Sequence, residues 1–189
     1  KTHISIHIEE ISLVKNPYQR HYQAVIPYIK KENLIYAIQK LVEIGINSIL
    51  LYKPQHLDQS LAKKDLAKLN LRIQESVIQA CEQSGCNFIP EINYFDDLET
   101  CLKSIIDIRR LETVFALDTI ADKLILDKKD LDITNISFVT GPEAGFSNNE
   151  RRVMENFHIK KFKIGRYILR AETAPVTALS KFHILFGEC

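Results

Sequence analysis

Thr140-Gly141-Pro142-Glu143-Ala144-Gly145-Phe146-Ser147 follows a short apolar run, Ile136–Thr140, and leads into a polar segment of helical period that begins near Asn148. Two glycines and a proline set an unusual backbone path between strand and helix, one that can turn free N–H groups toward a ligand. Ser147 is placed to cap the helix, and Glu150 three residues later completes a Ser-x-x-Glu capping box. An ordinary tight turn satisfies the same spacing, and no Gly-Lys-Ser/Thr follows that would make a phosphate loop. A second stretch repeats the pattern. Ile164-Gly165-Arg166-Tyr167-Ile168-Leu169-Arg170-Ala171-Glu172-Thr173-Ala174 also follows a strand-like run, Lys160–Ile164, and opens into a helix near Thr173. Ligands of open α/β sheets bind beyond the carboxyl ends of the strands, so two such loops can face one site. Arg170 and Glu172 read equally well as a salt bridge at a helix start.

Outward from these loops, strand and helix alternate. Helical spacing runs from Lys31 to a capping Gly45, from about Asp65 to Glu82, and around Phe95–Arg109. Strands are expected at Ile46–Tyr52, near Phe88–Ile89 and at Thr113–Leu117. This alternation predicts a mostly parallel sheet with helices on both faces. Thr2–Ile8, with Ile4, Ile6 and Ile8 at period 2, and Tyr22–Ile29 read as two further strands. They form a unit too small to stand alone, either a remnant or an edge of the main body.

The 189 residues are 46% hydrophobic and 26% charged, a globular composition. With 25 Lys+Arg against 24 Asp+Glu, net charge offers no bulk attraction to a polyanion. No 18-residue apolar run suggests a membrane span. The four cysteines show no CxxC pairing and the six histidines are scattered, so no metal site is expected. Reduced thiols and the lack of a signal peptide point to the cytoplasm.

Gly-Pro-Glu-Ala-Gly-Phe-Ser followed about twenty residues later by Gly-x-x-Ile-Leu-Arg-Ala-Glu-Thr-Ala resembles the paired signature of the RsmE family. Those are 16S ribosomal RNA uridine-N3 methyltransferases of the SPOUT superfamily. Gln39-Lys40-Leu41-Val42-Glu43-Ile44-Gly45 and Glu75–Pro90 are similar to earlier elements of that family. The resemblance implies residues 30–189 as a knotted methyltransferase domain, its C-terminal part tied in a trefoil. Residues 1–29 would be a remnant of the family's N-terminal PUA-like β domain, which grips RNA.

The resemblance further implies S-adenosylmethionine as cofactor. Leu117, Thr140, Gly141, Glu143, Gly145, Ile164, Gly165, Ile168, Leu169 and Thr173 would hold it, largely through backbone groups. It implies 16S ribosomal RNA or the 30S subunit as partner, and a homodimer. A dimer also accords with Val176, Leu179, Phe182 and Phe186, which suggest more apolar surface on the closing helix than one sheet covers. Methylating uridine N3 requires loss of the imide proton, for which Glu172 is the candidate base and Arg170 the candidate anion stabiliser. Arg151, Arg152 and Arg166 are candidates for RNA contact, in a stretch that also holds Lys160, Lys161 and Lys163.

Three departures from the family pattern stand out. Ala144 replaces a glycine, at a cost if its φ is positive. Cys86 stands where an arginine is usual, and Tyr52–Asp58 lacks another. Only the last strands of the PUA-like domain fit into residues 1–29. A degenerate, non-catalytic member that binds RNA or cofactor is the alternative.

Overall fold

Parallel strands need a crossover connection, and the alternation of strand and helix supplies such connections. The computed structural model describes residues 3–10, 17–57, 61, 66–106, 114–121 and 134–188. Along the chain run β1 (His21–Pro27), α1 (Lys31–Ile44), β2 (Ser48–Tyr52), α2 (Leu66–Ser84), β3 (Glu91–Phe95) and α3 (Leu98–Ile106). There follow β4 (Val114–Leu117), β5 (Asn135–Thr140), α4 (Asn148–Asn156), β6 (Lys160–Phe162) and α5 (Thr173–Phe186). The strands form one sheet in the order β3-β2-β1-β5-β4-β6, every neighbouring pair parallel.

Alternation along the central strands sends side chains into two cores. Tyr22, Ala24, Ile26, Ile49, Leu51, Phe115 and Phe138 meet the inner stripes of α1, α2 and α5 on one face. Val25, Leu50, Tyr52, Ala116 and Val139 meet α3 and α4 on the other. Strands covered on both faces are buried along nearly their whole length, as Ser48–Tyr52 is throughout and Asn135–Thr140 is from Ile136 on. Helix α1 turns its buried Leu34, Ile38, Leu41 and Val42 inward and stops at Gly45, whose φ of 96° an L-residue rarely adopts. A Cβ at that position would also run into the ring of Tyr18.

The amino end departs from its sequence reading. Residues 3–10 form no strand, and Ile4, Ile6 and Ile8 are exposed. Thr2 lies outside the described residues. The second run is no appendage either: β1 pairs with β2 on one side and β5 on the other, at the middle of the sheet. The division expected after residue 29 therefore cuts through one sheet. An apolar run shows that a strand is buried, but not which neighbours bury it.

Arg20 and Tyr22 tie this end to the last turn of the chain. Both reach the Glu188 carboxylate, at 2.9 and 2.8 Å, and the Arg20 guanidinium lies 4.2 Å over the Phe186 ring. The ring of His183 packs between Tyr18 and Tyr22, centroids 4.4 and 4.6 Å away.

Two other expectations shift. The third strand lies at Glu91–Phe95 rather than at Phe88–Ile89, because an edge strand tolerates the polar Glu91 and Asn93. The apolar stripe of α5 is absorbed in part by its own sheet. Leu179 and Phe182 are buried, with the Phe182 ring 6.2 Å from Phe115 and 5.7 Å from Phe138. Val176 and Phe186 are partly buried and pack against the same core. Cys81, Cys86 and Cys101 are free thiols; Cys189 lies outside the described residues.

Candidate functional site

The direction of strand progression reverses between β1 and β5, the place where open α/β sheets bind ligands. Beyond the carboxyl ends of the strands here lies a cleft of about 880 Å³. Its walls come from four connections, those after β1, β4, β5 and β6.

The loop after β5 is held at nearly every step. The Tyr52 hydroxyl donates to the Thr140 carbonyl at 3.0 Å, and burial raises the pKa of that phenol well above its ordinary value. A Cβ on Gly141 would stand 3.3 Å from the Phe146 ring, so glycine lets that ring close over the chain. Gly145, with φ 75°, donates its N–H to the Pro142 carbonyl at 2.8 Å and completes a turn. The positive φ thus falls on Gly145. His158 is the only non-glycine with positive φ among the described residues, so Ala144 adopts ordinary backbone and its methyl group adds no strain.

Next comes the expected capping box. Ser147 Oγ accepts from the Glu150 N–H at 3.1 Å, and the Glu150 carboxylate accepts from the Ser147 N–H at 2.7 Å. The other Glu150 oxygen accepts from the Gln55 N–H at 3.2 Å.

Asp118, directly after β4, has its carboxylate buried and paired with Arg151 of α4. The Arg151 guanidinium carbon lies 6.0 Å from the Phe146 ring centroid. The Asp118 N–H donates to the Phe162 carbonyl at 3.0 Å, which joins the ends of β4 and β6. Across the cleft, the Lys30 N–H donates to the Glu143 carboxylate at 3.3 Å, bringing Lys30 and Asn33 to the wall.

The loop after β6 differs. Lys181 of α5 donates to the Ile164 carbonyl, and the Arg170 carbonyl accepts from the Thr173 and Ala174 N–H groups at 3.0 Å each. Between these anchors Arg166, Tyr167 and Ile168 stand exposed. Arg170 is 86% exposed while Glu172 is 11% exposed, and the two approach only to 3.9 Å. Glu172 occupies the cap position of α5, yet its carboxylate caps no N–H.

Of the expected ligand-holding residues, Leu117, Thr140, Gly141, Glu143, Gly145, Ile164, Gly165, Ile168 and Leu169 line the cleft, joined by Arg166, Arg170 and Glu172. Thr173, Arg151 and Arg152 do not line it. Arg152 is exposed on α4, and Arg151 is paired with Asp118. Lys30, Asn33, Asp118, Thr119, Phe146 and Tyr167 line the cleft without having been expected there. Asp118 had a signal, since it directly follows a central strand. Lys30 and Asn33 follow β1 and were hidden by the reading of that strand as an appendage.

The cleft suits a nucleoside-sized ligand, falling within the usual range for small-molecule sites. A Cβ on Gly165 would meet nothing within 4 Å, although its φ would allow a side chain. Thr140 Oγ1 is buried without a hydrogen-bond partner among the described residues. Glu143 and Glu172 offer acceptors, and Leu117, Ile164 and Leu169 offer apolar surface.

A family model for the RNA methyltransferase domain matches residues 15–183. The ribosomal RNA small subunit methyltransferase E of Mesomycoplasma hyopneumoniae is 31% identical over 157 residues, covering 81% of this chain and 65% of that protein. The protein of the same name from Rickettsia conorii is 25% identical over 192 residues, covering 100% of this chain and 74% of that one. A crystal structure of ribosomal RNA small subunit methyltransferase E from Neisseria gonorrhoeae, bound to S-adenosyl methionine, aligns with a TM-score of 0.75 at 26% identity. That alignment covers 88% of this chain and 66% of the other. The chain thus spans 65–74% of the length of these relatives.

Proposed function

The chain belongs to the RNA methyltransferase domain family, and on that premise we propose that it methylates N3 of a uridine in 16S ribosomal RNA with S-adenosylmethionine as donor. The observation that carries the reading is the convergence of both glycine-bearing loops, with Leu117, on one cleft at the turning point of the sheet. Leu117, Thr140, Gly141, Gly145, Ile164, Gly165 and Leu169 would hold the cofactor, with Glu143 and Ile168 at its margin and Thr173 acting through the backbone of the α5 start. When bound, S-adenosylmethionine supplies an electrophilic methyl group.

The protein's share is to prepare the base. Glu172, partly shielded from water, accepts the uracil N3 proton, and the negative charge passes to the ring and its carbonyl oxygens. Arg170, held loosely beside Glu172, is free to meet that charge as it develops. The degenerate alternative drew on Ala144, and the ordinary backbone at that residue removes this part of its support.

We further read the end of the chain as a trefoil knot. The crossing of β5 past β4 to β6, with the long loop after β6 closing the cleft, supports that reading. A symmetric homodimer through α5 and its neighbours is part of the same reading, supported by the partly buried Val176 and Phe186 and the exposed Ile184.

Calorimetry with S-adenosylmethionine and methyl transfer to 30S subunits lacking the mark test the function together. Expected are cofactor binding without RNA and 3-methyluridine in the digested product. Gly165→Val should keep the fold and lose cofactor, since the side chain would project into open space. Absence of binding at millimolar cofactor overturns the assignment.

A further inference from the structure

Between Lys163 and Glu172 the cleft wall carries three cations and one carboxylate, while the whole chain carries a net charge of only +1. Amid these cations stands Tyr167, preceded by Arg166 and three residues before Arg170, with its side chain pointing away from every core. Tyr167 is 86% exposed and the adjacent Ile168 is 82% exposed, yet both line the cleft. Burial in the fold therefore does not explain an aromatic ring here. Single exposed apolar residues are common, but an aromatic at a cleft mouth between arginines matches what unpaired nucleic acid needs. That need is a flat ring against which a base can stack, with cations near it for the phosphates.

We propose that Tyr167 is the stacking platform for an unpaired base of single-stranded RNA at the mouth of the cleft, with Arg166 taking the flanking backbone. This rests on the reading of the cleft as a methyl-transfer site and adds what sorts its substrate, because a base inside a duplex has no free face to offer. A hydroxyl is not required for stacking. The role is one of positioning, so its loss should fall on RNA affinity and leave the cofactor in place.

The chain contains no tryptophan, which makes the test direct. In Tyr167→Trp the indole is the sole tryptophan, and a stacked base should quench it. Short oligouridine should quench that emission at the concentrations where it binds the parent protein, and duplex RNA of the same length should not. Tyr167→Ala should weaken oligouridine binding about tenfold or more, while Tyr167→Phe stays within about twofold of the parent. All variants should bind S-adenosylmethionine as the parent does. Unchanged oligouridine affinity in Tyr167→Ala, or unquenched emission at saturating oligouridine, overturns the proposal. So does a change of sedimentation mass in Tyr167→Ala without RNA, which would mean that a second copy of the chain covers the ring. Failure of the methyl-transfer reading looks different: quenching persists while the parent binds no cofactor.

Discussion

Two loops close the same cleft and are built in opposite ways. The one after β5 is clamped by Tyr52, by the turn at Gly145, by the Ser147–Glu150 box and, through Phe146, by the Asp118–Arg151 pair. The one after β6 is anchored at Ile164 and again at Arg170, and between them it gives its side chains to solvent. Hydrogen bonds of the first kind hold backbone groups in place before any ligand arrives. Side chains of the second kind cost the fold little and remain free to meet what binds. The pair separates a scaffold from a working surface, so substitutions in the two loops should fail in different assays.

The largest contrast is expected from the working loop. Arg170→Ala should cut methyl transfer by about 10²–10³-fold, as loss of an anion-stabilising donor does. Its stability should move by less than about 0.5 kcal/mol, because an exposed side chain is removed. Glu172→Gln should lower the rate by about 10²–10⁴-fold and recover part of it at higher pH, where hydroxide competes to deprotonate the uracil. Parent-like rates in both variants would merge the two loops into one scaffold.

Arg151→Ala probes the other side. It leaves the buried Asp118 carboxylate without its cation, and urea unfolding should report a loss of about 3 kcal/mol. Were stability unchanged and RNA affinity reduced instead, Arg151 would belong to the working surface, as its sequence context suggested. Ser147→Ala, which removes the cap of α4, should cost about 1 kcal/mol by the same measurement with little change in oligouridine affinity.

The smallest effect is expected at Ala144. Since its backbone is ordinary, Ala144→Gly should bring no relief and should lower stability by about 0.5 kcal/mol through added freedom of the unfolded chain. A gain in stability would show that the scaffold loop carries strain at that residue after all.

Much of this site was legible because its signals are local. Glycine after a strand and a Ser-x-x-Glu box depend on residues close in sequence and stand where they were read, as do the apolar runs of the central strands. The Asp118–Arg151 pair was not legible: the two are 33 residues apart, and an arginine beside a second arginine on a polar helix reads as a contact for phosphate. Lys30 and Asn33 were missed for the same reason, since they reach the cleft only once β1 is placed at its centre. Glycine at Gly145, not alanine at Ala144, took the left-handed turn, a choice that composition leaves open and the Pro142 hydrogen bond decides.

Local periodicity and turn chemistry were enough to establish an α/β chain with two ligand-facing loops, because they act within a few residues through backbone geometry. Pairwise neighbourhood needed the folded sheet. Only there does β1 lie between β2 and β5, much of the α5 stripe become core, Arg151 turn from free cation to clamp, and Tyr167 stay outside. Burial and charge pairing are properties of what surrounds a side chain, and for these residues the surroundings come from segments far away along the chain.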